Sequence, residues 1–145
     1  MHSFKSSKLM PHEAKLICDI IMDIEKYPEF LPWCSSAVIL SREGNKVTAS
    51  LEISFKGVSQ SYVSEVLLVD TENHYMITTK AISGPFKRLE NIWSIKKDNN
   101  MTKVDFSIDF EFKSRILDAV MGMIFSKATT KMVLAFEDRA RELLG

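Results

Sequence analysis

Hydrophobic and polar residues alternate through the middle of this chain, and the period lengthens to that of a helix on either side. Residues 3–9 read as a short opening strand. Pro11 then sits where a helix would start, and Glu13 supports its first turn. From Ala14 to Ile24 the apolar positions are Leu16, Ile17, Ile20, Ile21 and Ile24, the spacing of a helical stripe. Pro28 and Pro32 bracket Glu29-Phe30-Leu31, so a second helical piece there must be very short or a turn.

After Trp33 the period becomes two. Val47, Ala49, Leu51, Ile53 and Phe55 alternate with Thr48, Ser50, Glu52, Ser54 and Lys56, which predicts a strand with one wet face. Lys56-Gly57 signals a turn. Val58 to Val69 is less regular but rich in β-formers, Asp70-Thr71-Glu72-Asn73 closes it, and Tyr75 to Ile82 predicts a further strand. Ser83-Gly84-Pro85 is a break. Lys87 to Lys96 alternates again with Leu89, Trp93 and Ile95 on one face, and Lys97-Asp98-Asn99-Asn100 makes a hairpin turn. The clearest strand follows: Val104, Phe106, Ile108, Phe110 and Phe112 alternate with Asp105, Ser107, Asp109, Glu111 and Lys113. Strands joined by short turns predict an antiparallel meander.

From Ser114 to Leu144 there is no proline and a single Gly122. Ser114 can cap a helix here, with Asp118 near its start and Arg139 and Arg141 near its end. At 1.5 Å per residue it would be about 45 Å long. Leu117, Met121, Ile124, Phe125, Ala128, Met132, Ala135, Phe136, Ala140 and Leu143 are expected on one face. The fold class is α+β over residues 1–145 as one domain: strand, helix, short helix, about six antiparallel strands, long helix. A sheet with one apolar face must cover it, and the simple solution curves the sheet around the C-terminal helix. That packing readily leaves a cavity between them.

Composition changes this picture little. At 145 residues and 46% hydrophobic, one core is within reach. Lys+Arg and Asp+Glu are both 19, so zero net charge does not suggest a polyanion binder, and DNA is not an expected partner. Cys18 and Cys34 form no CxxC or metal spacing and are expected to be reduced and buried. The start lacks a signal peptide's apolar segment, and no unbroken apolar run approaches the roughly 18 residues of a membrane span. A cytoplasmic location is expected.

Residues that could carry chemistry are few. His2, His12 and His74 match no metal-ligand spacing. Asp105, Asp109 and Glu111 share the strand face opposite the phenylalanines, and Glu90 also reads outward, so no buried acid/base pair emerges. The scattered glycines form no phosphate loop. An enzyme of cyclase type would need polar groups inside the cavity, for which Gln60, Tyr62 and Ser64 are the inward candidates. What stands out is apolar: phenylalanines on one strand, Trp93 and Leu89 on another, Phe86 after the break, and Met121, Met123, Phe125, Met132 and Phe136 on the helix. The stretch Ile116 to Phe125 is apolar nearly all round, with Lys113, Arg115 and Lys127 flanking it. It should face a membrane surface, a partner or a ligand mouth, unless Phe30-Leu31-Pro32-Trp33 buries it.

Three motifs resemble a known family. Tyr27-Pro28-Glu29-Phe30-Leu31-Pro32-Trp33-Cys34 resembles the helix-to-strand motif of the coenzyme Q-binding START-domain proteins. Gly84-Pro85-Phe86-Lys87-Arg88-Leu89, followed by Trp93, resembles their central signature. Val104 through Arg115, then Ala128 to Ala140, is similar to their last strand and helix. The likeness covers nearly the whole chain and departs from the pattern at Asn91-Ile92. It implies a helix-grip fold with a tunnel for a polyprenyl quinone such as ubiquinone as bound ligand, no required cofactor, and no catalysis. It implies support of respiratory electron transfer by binding or delivering ubiquinone; the apolar helix start separately allows peripheral contact with an inner membrane. Bacterial members of that family are also described as ribosome-association toxins of a toxin–antitoxin pair, said to block subunit joining, which makes the large ribosomal subunit an alternative partner. More distant relatives are polyketide cyclases. The candidate pocket residues are Phe30, Trp33, Phe86, Leu89, Trp93, Phe106, Phe110, Met121, Phe125, Met132 and Phe136.

Overall fold

A computed structural model describes residues 1–55, 57–72 and 74–145, and for Phe55 and Val58 only the backbone. The turns expected at Lys56-Gly57 and at Asp70–Asn73 each include one residue outside the described ones. Seven strands form one antiparallel sheet: β1 (His2–Met10), β2 (Cys34–Glu43), β3 (Lys46–Phe55), β4 (Val58–Thr71), β5 (His74–Ser83), β6 (Phe86–Asp98) and β7 (Met101–Phe112). Their order is β1-β7-β6-β5-β4-β3-β2. The chain thus meanders from β2 to β7, and β1 closes onto the far edge of β7.

Register places the apolar alternation of neighbouring strands on one face. Leu89 lies opposite Phe110, Trp93 opposite Phe106, and Ile95 opposite Val104. Such rows are the unit of sheet stability. The pairing register shifts within β2, at Val63/Ser64 in β4 and at Phe86/Arg88 in β6. Irregularities of this kind bend strands and strengthen their twist, and they curl this sheet toward its apolar side.

Helix α1 (Ala14–Met22) begins later than Pro11 and ends before Ile24, which opens a separate 3₁₀ stretch, Ile24–Glu29. Pro28 lies inside that stretch rather than bounding a later one. So short a 3₁₀ segment has few hydrogen bonds to lose to a missing N–H. Helix α2 (Arg115–Leu144) lies along the concave face. Ser114 caps it, its Oγ accepting from the Leu117 N–H at 3.2 Å. Phe125, Thr129, Val133, Phe136 and Ala140 are its buried residues. Two expected positions are corrected: Leu143 is 54% exposed and Met123 is 86% exposed. Met123 is two residues, about 200° of helix, from Met121 and so faces outward, Leu143 lies in the last turn, and Thr129 and Val133, four and eight residues after Phe125, are buried on the inward face.

By length and average hydropathy α2 is also long and apolar enough to cross a membrane. Lys127 and Lys131 break its apolar run, and its buried face packs in the core with Trp93 and Phe106.

Candidate functional site

The apolar rows of β6 and β7 do not meet α2 flush. Between them lies a cavity of about 310 Å³, and beside it, deeper under α1 and the 3₁₀ stretch, a second of about 120 Å³. Pro32, Ile53, Tyr62, Leu89, Ile108 and Met132 border both. The outer cavity is closed by Phe86, Phe110 and Phe112 from the sheet and by Leu117, Met121 and Phe125 from α2. The inner one is closed by Trp93, Phe106 and Phe136, with Tyr27 above and Ser64, Thr79 and Asn91 in its wall.

The expected pocket residues divide accordingly. Trp33, Phe86, Phe110, Met121 and Phe125 line the outer cavity, Trp93, Phe106 and Phe136 the inner, and Leu89 and Met132 both. Phe30 lines neither. Its ring packs edge-on against Tyr27 and Phe136, at 6.0 and 5.3 Å between centroids, with the Arg139 guanidinium 4.9 Å above it. The turn into β2 sends Phe30 and Trp33 to different neighbours. Sequence reasoning missed Ile53, whose place in the β3 alternation signalled it, and Thr129, which sits one helical turn beyond Phe125.

Aromatic contacts hold the walls. Phe110 meets Phe125 at 4.5 Å and Phe112 at 5.5 Å, Phe86 stacks on Phe112 at 4.6 Å, and Trp93 meets Phe106 at 4.7 Å. Trp33 has φ +64°, the left-handed region that favours glycine, and its carbonyl accepts from the Ser54 N–H at 2.8 Å. Strain of this kind persists where the surroundings impose it. Gly84, at φ +120°, passes so close to β4 that a Cβ would lie 2.6 Å from Tyr62 Cβ.

Among the described residues lining the two cavities, none carries a charge. Burial pushes the Tyr27 and Tyr62 phenols far above their ordinary range and raises the Cys34 thiol, which borders the inner cavity. Cys18 is pushed up to about 11, chiefly by burial. Both cysteines are free and buried. Asn91 donates to the Ser107 carbonyl at 2.9 Å, so the departure at Asn91-Ile92 places an amide in the inner wall. Asp105, Asp109, Glu111 and Glu90 border neither cavity.

The mouth is the start of α2. Asp118 fixes it to the sheet: its carboxylate accepts from the Phe112 N–H at 2.9 Å and lies 3.1 Å from His2 Nε2. Burial under Phe30–Trp33 does not occur on its outer side, where Ile116 is 81%, Val120 53% and Met123 86% exposed. Val120 also borders the outer cavity. Lys113, Arg115 and Lys127 are exposed around this patch.

Residues 10–137 match the family described as polyketide cyclase / dehydrase and lipid transport. The chain is 43% identical over 145 residues to the Ribosome association toxin RatA of Rickettsia prowazekii, covering 99% of each. It is 28% identical over 146 residues to the mitochondrial coenzyme Q-binding protein COQ10 homolog B of Xenopus laevis, covering 98% of this chain and 59% of that one. A START superfamily protein from Mycobacterium smegmatis shares the fold, with a TM-score of 0.81 at 21% identity over 99% of both chains. The curved sheet gripping a long helix around an apolar space is therefore the START-like, helix-grip fold, and this chain belongs to the polyketide cyclase / dehydrase and lipid transport family.

Proposed function

We propose that the protein binds ubiquinone or a similar polyprenyl lipid between sheet and α2, as a non-catalytic carrier that supports respiratory electron transport. The observation that carries this reading is the pair of adjoining cavities, about 310 and 120 Å³, walled by aromatic and aliphatic side chains with no charge among the described lining residues. A space of this size and polarity suits the apolar part of a small lipid. Met121 and Met132 add walls that adapt to an irregular shape. With no charged acid or base in the described walls, binding is favoured over turnover. A relative of 28% identity carries coenzyme Q binding in its name. In this reading the protein is cytoplasmic and meets an inner membrane through Ile116, Val120 and Met123, with the neighbouring cations on anionic headgroups.

The test is organic extraction of the purified protein followed by mass spectrometry. A stoichiometric polyprenyl quinone is expected. A clean extract, repeated after incubation with quinone-containing vesicles, would overturn the reading.

A second reading rests on the 43% identity, across the whole chain, to a protein named for ribosome association. Exposed Lys87, Arg88, Lys96, Lys97, Lys127 and Lys131 offer phosphate contacts, although the net charge is zero. Co-sedimentation with the large ribosomal subunit at near-physiological salt tests it, and absence from the subunit fraction removes it.

A further inference from the structure

The inner cavity holds a polar group that the fold does not satisfy. Ser64 is 1% exposed, and its Oγ has no hydrogen-bond partner among the described residues. Other buried hydroxyls here are paired: Thr129 Oγ1 donates to the Phe125 carbonyl at 2.9 Å, and the Tyr27 hydroxyl donates to the Ile21 carbonyl. Buried hydroxyls are nearly always paired, because an orphan loses its bonds to water and gains none, so an exception calls for an explanation. Packing does not supply one. Ser64 lies opposite Ala49 on one side and Ala81 on the other, so alanine fits this row of the sheet and would bury no polar atom.

The surroundings of Ser64 say what could satisfy it. Of the three small residues in register across β3, β4 and β5, Ser64 is the one that lines the inner cavity. Thr79 and Asn91 stand in the same wall, and Tyr62 lies between this cavity and the outer one. The outer cavity is poorer in polar groups: besides Tyr62 it offers Gln60 and Thr129, and the Thr129 hydroxyl is already engaged within its own helix. Polarity therefore rises inward, toward the closed end, and falls toward the mouth at Met121 and Val120. The inward groups are all uncharged, so an anionic or cationic head would enter without a counter-charge, at a large desolvation cost.

We infer that the ligand binds head-inward and that its head is an uncharged oxygen-bearing group, a carbonyl, ether or hydroxyl, accepting a hydrogen bond from Ser64 Oγ while its apolar tail fills the outer cavity toward the α2 mouth. This rests on the lipid-binding reading and adds the orientation of the ligand and the residue that meets its head. It sets phospholipids and fatty-acid anions apart from neutral isoprenoid or ketone-like lipids.

The experiment measures binding to the full chain by tryptophan fluorescence, since Trp93 borders the inner cavity and Trp33 the outer. The probes are decylubiquinone, dodecylbenzene as an oxygen-free counterpart, and palmitate at pH 8. Wild type should bind decylubiquinone more tightly than the other two. Ser64→Ala should weaken decylubiquinone about five- to tenfold, the worth of one neutral hydrogen bond, and leave dodecylbenzene unchanged. The ligand-free variant should melt no lower than wild type, because the hydroxyl it lacks had no partner. Equal weakening of both neutral probes, no weakening of either, or a lower melting temperature would each overturn the assignment while lipid binding stands. Palmitate binding as tightly as decylubiquinone would overturn the uncharged head. Failure of wild type to bind any probe would bring down the lipid-binding reading and this inference with it.

Discussion

Phe110 is the residue on which the outer cavity and the core depend together, and Phe110→Ala tests both. The ring is 6% exposed and meets Phe125 at 4.5 Å, His2 at 5.2 Å, Phe112 at 5.5 Å and Phe86 at 6.1 Å between centroids. Truncating a buried phenylalanine costs about 3–5 kcal/mol, part lost transfer energy and part new void. Here one side of the ring already borders a cavity of about 310 Å³. Fewer dispersion contacts are lost on that side, so the low end, about 3 kcal/mol, is expected. At roughly 2–4 °C per kcal/mol for a chain near this size, the melting midpoint should fall by about 10 °C. Urea unfolding followed by circular dichroism and tryptophan fluorescence measures the loss, with coincident transitions licensing a two-state analysis. A loss under about 1 kcal/mol would refute the packed aromatic cluster. Decylubiquinone affinity should fall as well, whereas Phe30→Ala, at a ring outside both cavities, should leave it unchanged.

Other expectations follow from individual contacts. Gly84→Ala forces a side chain into φ +120° with its Cβ 2.6 Å from Tyr62 Cβ, and should destabilise by about 2–4 kcal/mol in the same urea assay, where an effect below 1 kcal/mol would contradict the close approach. Asp118 is held below its ordinary pKa, first by the Phe112 N–H and then by His2, against some opposing desolvation. Its contribution is therefore present above the unfolded value near 3.9 and is lost as pH falls through the folded value, so Asp118→Asn should lower stability at pH 7 and flatten the acid limb of a melting-temperature profile. With Cys18 and Cys34 buried and their thiols raised by burial, a disulfide reagent at pH 8 should label neither in the native protein and both in urea. Ile116→Glu with Met123→Glu, at exposed positions, should keep the melting temperature and slow quinone transfer between anionic vesicles; unchanged transfer would remove the α2 start from the exchange route.

How much of this was legible in the chain can be judged residue by residue. The alternation from Val104 to Phe112 identified β7 and its inward face, and the Ser114 cap with the proline-free run after it identified α2. These follow from local geometry: a strand repeats every two residues and a helix every 3.6 whatever they pack against. The inward direction of Gln60, Tyr62 and Ser64 was legible for the same reason. Their significance was not, because a serine on an inward strand face looks alike in sequence whether its hydroxyl finds a partner or not.

The tertiary structure decided the rest. Met121 and Met123 are two residues apart in one apolar stretch, yet one borders the cavity and the other is 86% exposed. Phe30 and Trp33 belong to one motif, yet only Trp33 reaches the cavity, through a turn held at positive φ. The cavities themselves belong to no element, being what remains where the curved sheet meets the long helix. The sequence by itself determined the helices, β1, β3 to β7 and most of their apolar faces, since those depend on neighbours a few bonds away, whereas β2 and the inward Thr129 and Val133 of α2 were not read from it. Which side chains line the space, and which polar atom is left unpaired in it, depends on contacts between residues far apart in the chain, and these form only when the sheet closes over α2.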